Sequence, residues 1–469
     1  MVSAETPPGS RKRLLGDALF ALLLVVAVVG LAVSLVLRGA ASPVREEVNA
    51  GAYGKAGDTF VRLSYLVYHW TGNYELRQRS LKQAADYYSL AYEGDGYSYG
   101  YGISLALTLD AMGYRKSAAS TLSRALLQAG EARRKELRPV LLLLTFDQPQ
   151  SEWVERADLE LQHRDVSALL LADAYRRIGR DDLAERQRQR MVKAGLSLAP
   201  ALVTMLAVCG FVLLWGVVGL GWGAGWLVRR WRRRPKVEAP TAPALWSNRI
   251  IAEAVIVYLC LQLLVGVVVG LTLGDTFHRD LILLGCGTVV SGAGALMWVR
   301  CRHPKGAKLG WDFSRYWRQL AAGLAAAGVV VLPFMLLGRV IGSGTHSRPL
   351  DDPVLSMIVG MFGEAPTWLA AVLMCAVAPA FEEGLFRGVV YRGLRSRRSL
   401  LSAAMVSAFV FALAHGSAAS LPLMFLLGLM LAYLCERHQS VFAPAVAHAA
   451  FNAFSLSMLM FMYGARWPG

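Results

Sequence analysis

Two adjacent carboxylates in an apolar setting are where this chain could do chemistry. Phe381-Glu382-Glu383-Gly384-Leu385-Phe386-Arg387 follows the apolar run Trp368 to Ala380 and precedes a basic cluster at Arg392 to Arg398. Ionisable groups at the membrane end of a hydrophobic helix are costly, and they mark either function or a structural ion pair. Helical spacing separates the two acids. Glu383 and Arg387 are four apart and share a face, which suits an ion pair. Glu382 points about 100° away. One carboxylate is thus neutralised in place, and the other is left to hold a proton, a water or a metal. A general base needs that arrangement: low dielectric around it and a neighbour that fixes its position.

Two more polar signals follow. His415 closes the apolar run that contains Phe411, and His448 and Asn452 lie four apart on one face of another apolar stretch. Hydrolytic chemistry at such a site would require an activated water, an electrophile for the developing oxyanion and a proton donor for the leaving group. Glu382 can take the proton from water. His415 and His448 can bind a divalent metal or, without one, hydrogen-bond the water and the oxyanion. Glu382, His415 and His448 together make an adequate catalytic zinc set with an open position. Asn452, an amide, is a weak zinc ligand and fits oxyanion work better. Glu383 and Arg387 read as the pair that fixes the site, with Arg387 also a candidate contact for a substrate carboxylate. Phe411 reads as packing below His415.

The order Glu-Glu-x-x-x-Arg, Phe-x-x-x-His, His-x-x-x-Asn resembles the CPBP family, which comprises CAAX prenyl endopeptidases and bacteriocin-processing or immunity (Abi-like) proteins. The resemblance runs from about Trp368 to Tyr463 and covers none of the chain before it. It implies an intramembrane endopeptidase acting on a membrane-associated protein or peptide. It does not choose between a metallo-type and a glutamate-type enzyme; the expectation here is a metallo-type enzyme with a divalent metal such as zinc. Nor does it carry the specificity for a prenylated cysteine. Other protease signatures are missing. There is no HExxH, no Gly-x-Gly-Asp inside a span, and no histidine placed to activate Ser343 in Gly342-Ser343-Gly344.

The elements that must position these residues are apolar helices. Of 469 residues, 55% are hydrophobic, and mean hydropathy is +0.41, which describes a polytopic membrane protein. The net charge of +16 gathers at the ends of apolar runs, so it reads as a topology signal and not as a nucleic-acid surface. Six cysteines lie in or beside apolar runs with no CxxC spacing, which excludes a disulfide framework or zinc knuckle in the polar segment.

The expected fold is an all-α membrane bundle of about nine spans with an inserted extracytoplasmic helical domain. Residues 1–41 read as an uncleaved anchor (Ala18 to Leu37), preferred to a signal peptide, with Arg11-Lys12-Arg13 cytoplasmic. Residues 42–197 read as an outer helical domain. Leu107 to Ala118 and Ala174 to Ala184 each place an alanine five after a glycine at a helical turn, and Trp70-Thr71-Gly72 echoes them more weakly. These resemble tetratricopeptide halves, with a plain helical bundle as the alternative. Residues 198–243 hold a second span and the basic linker Arg229 to Arg234, 244–365 further membrane helices, and 366–469 the catalytic domain. The run Met357 to Ala380 is expected to end just before Glu382, near the inner leaflet. His415 then lies some 22 Å along a helix that starts inside, so the two groups differ in depth unless a helix tilts, breaks or extends. Gly384, Gly388 and Gly393 allow close packing there. Glu436, Arg437 and His438 read as a solvated loop after an apolar run. The expected setting is a bacterial plasma membrane, with the lipid bilayer and a protein partner at the 42–197 domain as contacts. The competing function is a non-enzymatic membrane scaffold or immunity factor. A transporter would need paired broken helices or internal repeats, and neither is present in the sequence.

Overall fold

The computed structural model describes residues 43–232, 246–273, 277–302, 309–344, 358–359, 367–415 and 420–463. These residues are mostly helical, and no strand occurs among them. The chain divides into two compact units, one taking in Ala41–Ala207 with Ser457–Gly469 and the other Val208–Leu456. The expected first span, Ala18 to Leu37, lies outside the described residues.

The polar unit is built from α1 (Pro43–Thr71), α2 (Tyr74–Gly94), α3 (Tyr99–Ala111), α4 (Arg115–Gln128), α5 (Glu131–Thr145), α6 (Ser151–Leu161), α7 (Ser167–Arg177) and α8 (Asp181–Leu196). The turns at the three glycine-marked stretches are helical hairpins. Gly72, Gly113 and Gly179 take φ of +63°, +91° and +76°, the left-handed conformation that lets a helix end abruptly. Five residues after two of them, Ala118 and Ala184 are buried, because only a small side chain fits where the second helix crosses the first. Val61, Tyr65, Tyr88, Leu107, Leu122, Leu137 and Leu171 share one core. Arg190 Nη2 donates to the carbonyl of Gln162, the residue that caps α6, at 2.6 Å, and to Arg164 O in the following turn at 2.9 Å; a helix C-terminus leaves carbonyls without intrahelical partners.

The membrane unit contains most of α9 (Ala199–Arg232), then α10 (Asn248–Leu273), α11 (Phe277–Arg302) and α12 (Tyr316–Gly344). Next comes a continuous composite helix, α13, made of Thr367–Val372, Leu373–Val377, Ala378–Glu383, Gly384–Tyr391 and Arg392–Arg395 end to end. It is followed by α14 (Leu400–Ala414), α15 (Leu421–His438) and α16 (Phe442–Met462). Among the described residues five helical stretches are long and apolar enough to cross a membrane: Asp181–Gly221, Asn248–Val269, Trp368–Arg395, Leu421–His438 and Phe442–Met462. Glycines bring the backbones close, as expected where apolar helices pack without a hydrophobic drive between them. A Cβ on Gly216 of α9 would lie 2.6 Å from the Gly328 backbone of α12, and one on Gly323 would lie 2.7 Å from Ala443 O of α16.

The helix bearing Glu382 does not stop at Ala380. It runs on to Arg395 and contains two π-helical stretches, Leu373–Val377 and Gly384–Tyr391. The glycines in its second half let neighbours in: a Cβ on Gly388 would meet Leu309 O at 2.7 Å, and one on Gly393 would meet Ile251 at 2.6 Å. This buries residues that the sequence reading placed at a membrane surface. It also removes the difference in depth. Glu382 stands 13 residues before the basic end at Arg395, about 20 Å, and His415 stands 15 residues after Leu400, about 22 Å.

Candidate active site

Four helices build the site. Glu382 and Glu383 come from α13 between its π-helical stretches, His415 caps the C-terminus of α14, His448 and Asn452 come from α16, and α15 closes the back. A π-helical turn inserts one extra residue and leaves a backbone carbonyl without its usual partner, a feature often found at functional sites. Here side chains from the neighbours bond to carbonyls within those stretches. Asn452 Nδ2 donates to Met374 O at 2.7 Å, and Ser407 Oγ donates to Phe386 O at 3.0 Å.

Behind the site is a fully buried ion pair. Arg387 Nη1 donates to Glu383 Oε1 at 3.0 Å, with neither side chain exposed. Arg387 Nη2 donates to Gly428 O of α15 at 3.2 Å, and its guanidinium lies 4.3 Å from the centre of the Phe411 ring. With no exposure, Arg387 holds Glu383. Glu383 Oε1 also accepts from His448 Nδ1 at 3.0 Å. Phe411 is fully buried, and its ring abuts His415 at 4.5 Å, Phe386 at 5.3 Å and His448 at 5.6 Å between centroids. It is the hub that both imidazoles meet edge-on and that the guanidinium lies over.

The open face belongs to Glu382. Its residue is 9% exposed, and its Oε2 has no hydrogen-bond partner among the described residues. His415 Nε2 is 3.9 Å from that oxygen and His448 Nε2 is 4.0 Å from it. Both imidazoles are tied at the other nitrogen. His415 Nδ1 is 2.8 Å from Phe411 O, a carbonyl that can only accept, so Nδ1 carries the proton. His448 Nδ1 donates to the Glu383 carboxylate. In its neutral form each ring therefore turns a bare Nε2 lone pair toward Glu382.

Those donor atoms are a fit for a divalent cation. One ligand atom from each of Glu382, His415 and His448 lies within 4.8 Å of the others. Three lone pairs converge with no hydrogen between them, and two carboxylates against one guanidinium leave the cluster short of positive charge. The Glu383–His448 and Phe411–His415 contacts are the outer partners that commonly orient metal-bound histidines. A proton on one imidazole is the other way to supply the missing charge.

Residues 364–454 match the family described as type II CAAX prenyl endopeptidase Rce1-like. That segment is an Rce1-like domain. The match contains Glu382, Glu383, Arg387, His415, His448 and Asn452, in the region where the CPBP resemblance was read. Among curated proteins, the chain is 27% identical over 90 residues to a protein of Bacillus subtilis (strain 168) described as "Putative membrane peptidase YdiL". The alignment covers 19% of this chain and 37% of that protein, so the chain spans little more than a third of the relative's length. No solved structure matches the chain.

The sequence pointed to the acids, the histidines and the asparagine. It did not point to Ser407 or Gly428, which satisfy the backbone and the arginine of the Rce1-like segment. A small residue in an apolar helix was their one available signal. Glu436, read as solvated, is instead a clamp: Arg395 Nε and Tyr391 Oη donate to its two carboxylate oxygens, each at 2.9 Å. It ties the basic end of α13 to the end of α15.

Proposed function

We propose that the protein is an intramembrane endopeptidase that hydrolyses a peptide bond of a membrane-associated protein or peptide, with Glu382 as the base that activates water. The observation that carries this reading is the meeting of the unpartnered Glu382 Oε2 with two bare imidazole nitrogens at 3.9 and 4.0 Å. A water between them can give one hydrogen to Glu382 and the other to one imidazole Nε2, which leaves a lone pair to aim at a carbonyl carbon. Proton transfer by a positioned carboxylate accounts for about 10²–10⁴ of rate. After addition, the Glu382 carboxyl is placed to return that proton to the leaving amine. Glu383 and Arg387 do not move protons in this scheme. They hold His448 in its orientation and tautomer. Asn452 holds α16 to the π-helical stretch and has one amide hydrogen left for the substrate.

Glu382, His415 and His448 would hold a divalent metal such as zinc, which when bound supplies a Lewis acid and an acidified water. The metallo-type label belongs to this proposal, as do the nine-span arrangement with a cytoplasmic N-terminus in a bacterial plasma membrane and the partner-binding, tetratricopeptide-like role of the 42–197 domain. The substrate class follows from the site's position inside apolar helices: the scissile bond must enter the membrane or its interface. New protein termini compared between membranes carrying wild type and Glu382→Ala test the reading. Termini that vanish in the variant support it, and matching profiles from equal amounts of folded protein reject it in favour of a scaffold.

A further inference from the structure

The Rce1-like match begins at residue 364, yet a polar pair well before it lies on a helix packed against the one that bears Glu382. α10 is apolar apart from a few positions, and two of these, Tyr258 and Gln262, are four apart and so share a face. Polar side chains on a membrane helix seldom occur without a partner or a role. α10 and α13 run antiparallel along that face. Ile251 meets Gly393, and Tyr258 meets Phe386, seven residues along one helix against seven back along the other. One further turn in this register puts Gln262 level with Glu382.

Tyr258 is 3% exposed. Its ring meets Phe386 edge-on, 5.7 Å between centroids, and Phe386 in turn meets Phe411, the ring that both histidines touch. Gln262 Nε2 donates to Tyr258 Oη at 3.1 Å. That bond uses an oxygen lone pair and leaves the phenolic hydrogen to donate, and no acceptor takes it among the described residues.

Hydrolysis needs such a donor. The negative charge that develops on the carbonyl oxygen is the feature a protease gains most by stabilising. The imidazole nitrogens facing Glu382 are acceptors in their neutral form, and Asn452, with one amide hydrogen on Met374 O, keeps a single one for the substrate. The cluster from α13, α14 and α16 is thus rich in acceptors and poor in donors. We propose that Tyr258, oriented by Gln262, donates a hydrogen bond to the oxyanion on the scissile carbonyl. The inference rests on the hydrolytic reading above. In the addition step the water oxygen bonds to the carbonyl carbon, the water proton goes to Glu382, and the carbonyl π pair moves onto the oxygen held by Tyr258. On collapse that pair returns, the C–N bond breaks, and the amine leaves with the proton from Glu382. Tyr258 keeps its own proton throughout.

The test uses the full-length protein in native membranes and reads the rate at which Glu382-dependent termini appear. Tyr258→Phe removes the hydroxyl and keeps the ring. The expected result is a loss of about 10²–10³ in kcat on a peptide spanning an identified cleavage site, the effect typical of one oxyanion donor. KM should stay within about threefold and thermal stability should be unchanged. Gln262→Met, which keeps helix packing but frees the phenol to rotate, should lose rate by a smaller factor. A wild-type kcat in Tyr258→Phe, while Glu382→Ala is inactive, overturns the inference and leaves the hydrolytic reading standing. A rate loss matched by an equal loss of folded protein also overturns it, because packing then explains the effect. Termini that persist in Glu382→Ala reject the hydrolytic reading itself.

Discussion

Arg387→Met should cost the protein about 3–5 kcal/mol of stability, the usual penalty for stranding one member of a buried pair. Both side chains are fully buried, with the N–O contact at 3.0 Å. For charge centres about 4 Å apart and an effective dielectric of about 20, their attraction is about 4 kcal/mol. The variant also loses the bond to Gly428 O at 3.2 Å and the stack on Phe411 at 4.3 Å, and a desolvated cation–π contact contributes about 2 kcal/mol. The relief from no longer burying a guanidinium offsets part of this sum. Methionine fills much of the same volume, so a cavity contributes little. The sharper measurement is a double-mutant cycle with Glu383→Gln, read by denaturant or thermal unfolding in detergent. Glutamine still accepts from His448 through its amide oxygen, so the cycle isolates the charge. Arg387→Met with Glu383→Gln should be more stable than Arg387→Met alone, with a coupling of at least about 2 kcal/mol. Additive effects, or an Arg387→Met protein within about 0.5 kcal/mol of wild type, would refute the buried pair as the site's support.

Three further outcomes follow from particular contacts. Gly428→Val should force α14 and α15 apart, because even a Cβ would sit 2.8 Å from Ala408 Cα; the expected cost is about 1–3 kcal/mol by unfolding, with loss of cleavage as Gly428 O leaves Arg387. Burial pushes the Tyr87 phenol up from 10.0 to about 12, against the opposing hydrogen bond from Tyr463. A phenol raised in the folded state contributes stability present below its unfolded value and lost as pH rises through the folded one. Stability should therefore fall by about 2–3 kcal/mol between pH 10 and 12, and thermal midpoints across that range should flatten in Tyr87→Phe; coincident curves would contradict the burial argument. Chelation should abolish cleavage, zinc should restore it, and metal analysis should find an ion in wild type that His448→Ala lacks; full activity in metal-free protein would assign the missing positive charge to a protonated imidazole.

Much of the site was legible because helix geometry acts over four residues. The spacing of Glu383 and Arg387 fixed their pairing, and their pairing left Glu382 free. The histidines showed themselves as ionisable groups in apolar surroundings. The depth of Glu382 was harder to read. Arg392 to Arg398 looked like a cluster outside the membrane, so the helix was expected to end near Ala380. What carries it on is tertiary: glycines at 384, 388 and 393 admit Leu296, Leu309 and Ile251, and Glu436 neutralises Arg395. The π-helical stretches have no sequence signature, since an extra residue in a turn alters no composition. Their consequence, the bond from Asn452 to Met374 O, could not be read for the same reason. In the polar unit, Gly113 and Gly179 announced their turns because few other residues take a positive φ, whereas the pairing of Arg190 with distant carbonyls depends on how α8 crosses α6 and is invisible along the chain.

The most direct measurement is cleavage by purified protein in lipid vesicles, wild type against Glu382→Gln, using a peptide that spans a site found by terminus profiling. Glutamine keeps the shape and removes the base. The expected result is a loss of at least about 10²–10⁴ in kcat in a protein that unfolds like wild type. Cleavage at the wild-type rate by folded Glu382→Gln would contradict the claim that this carboxylate activates water.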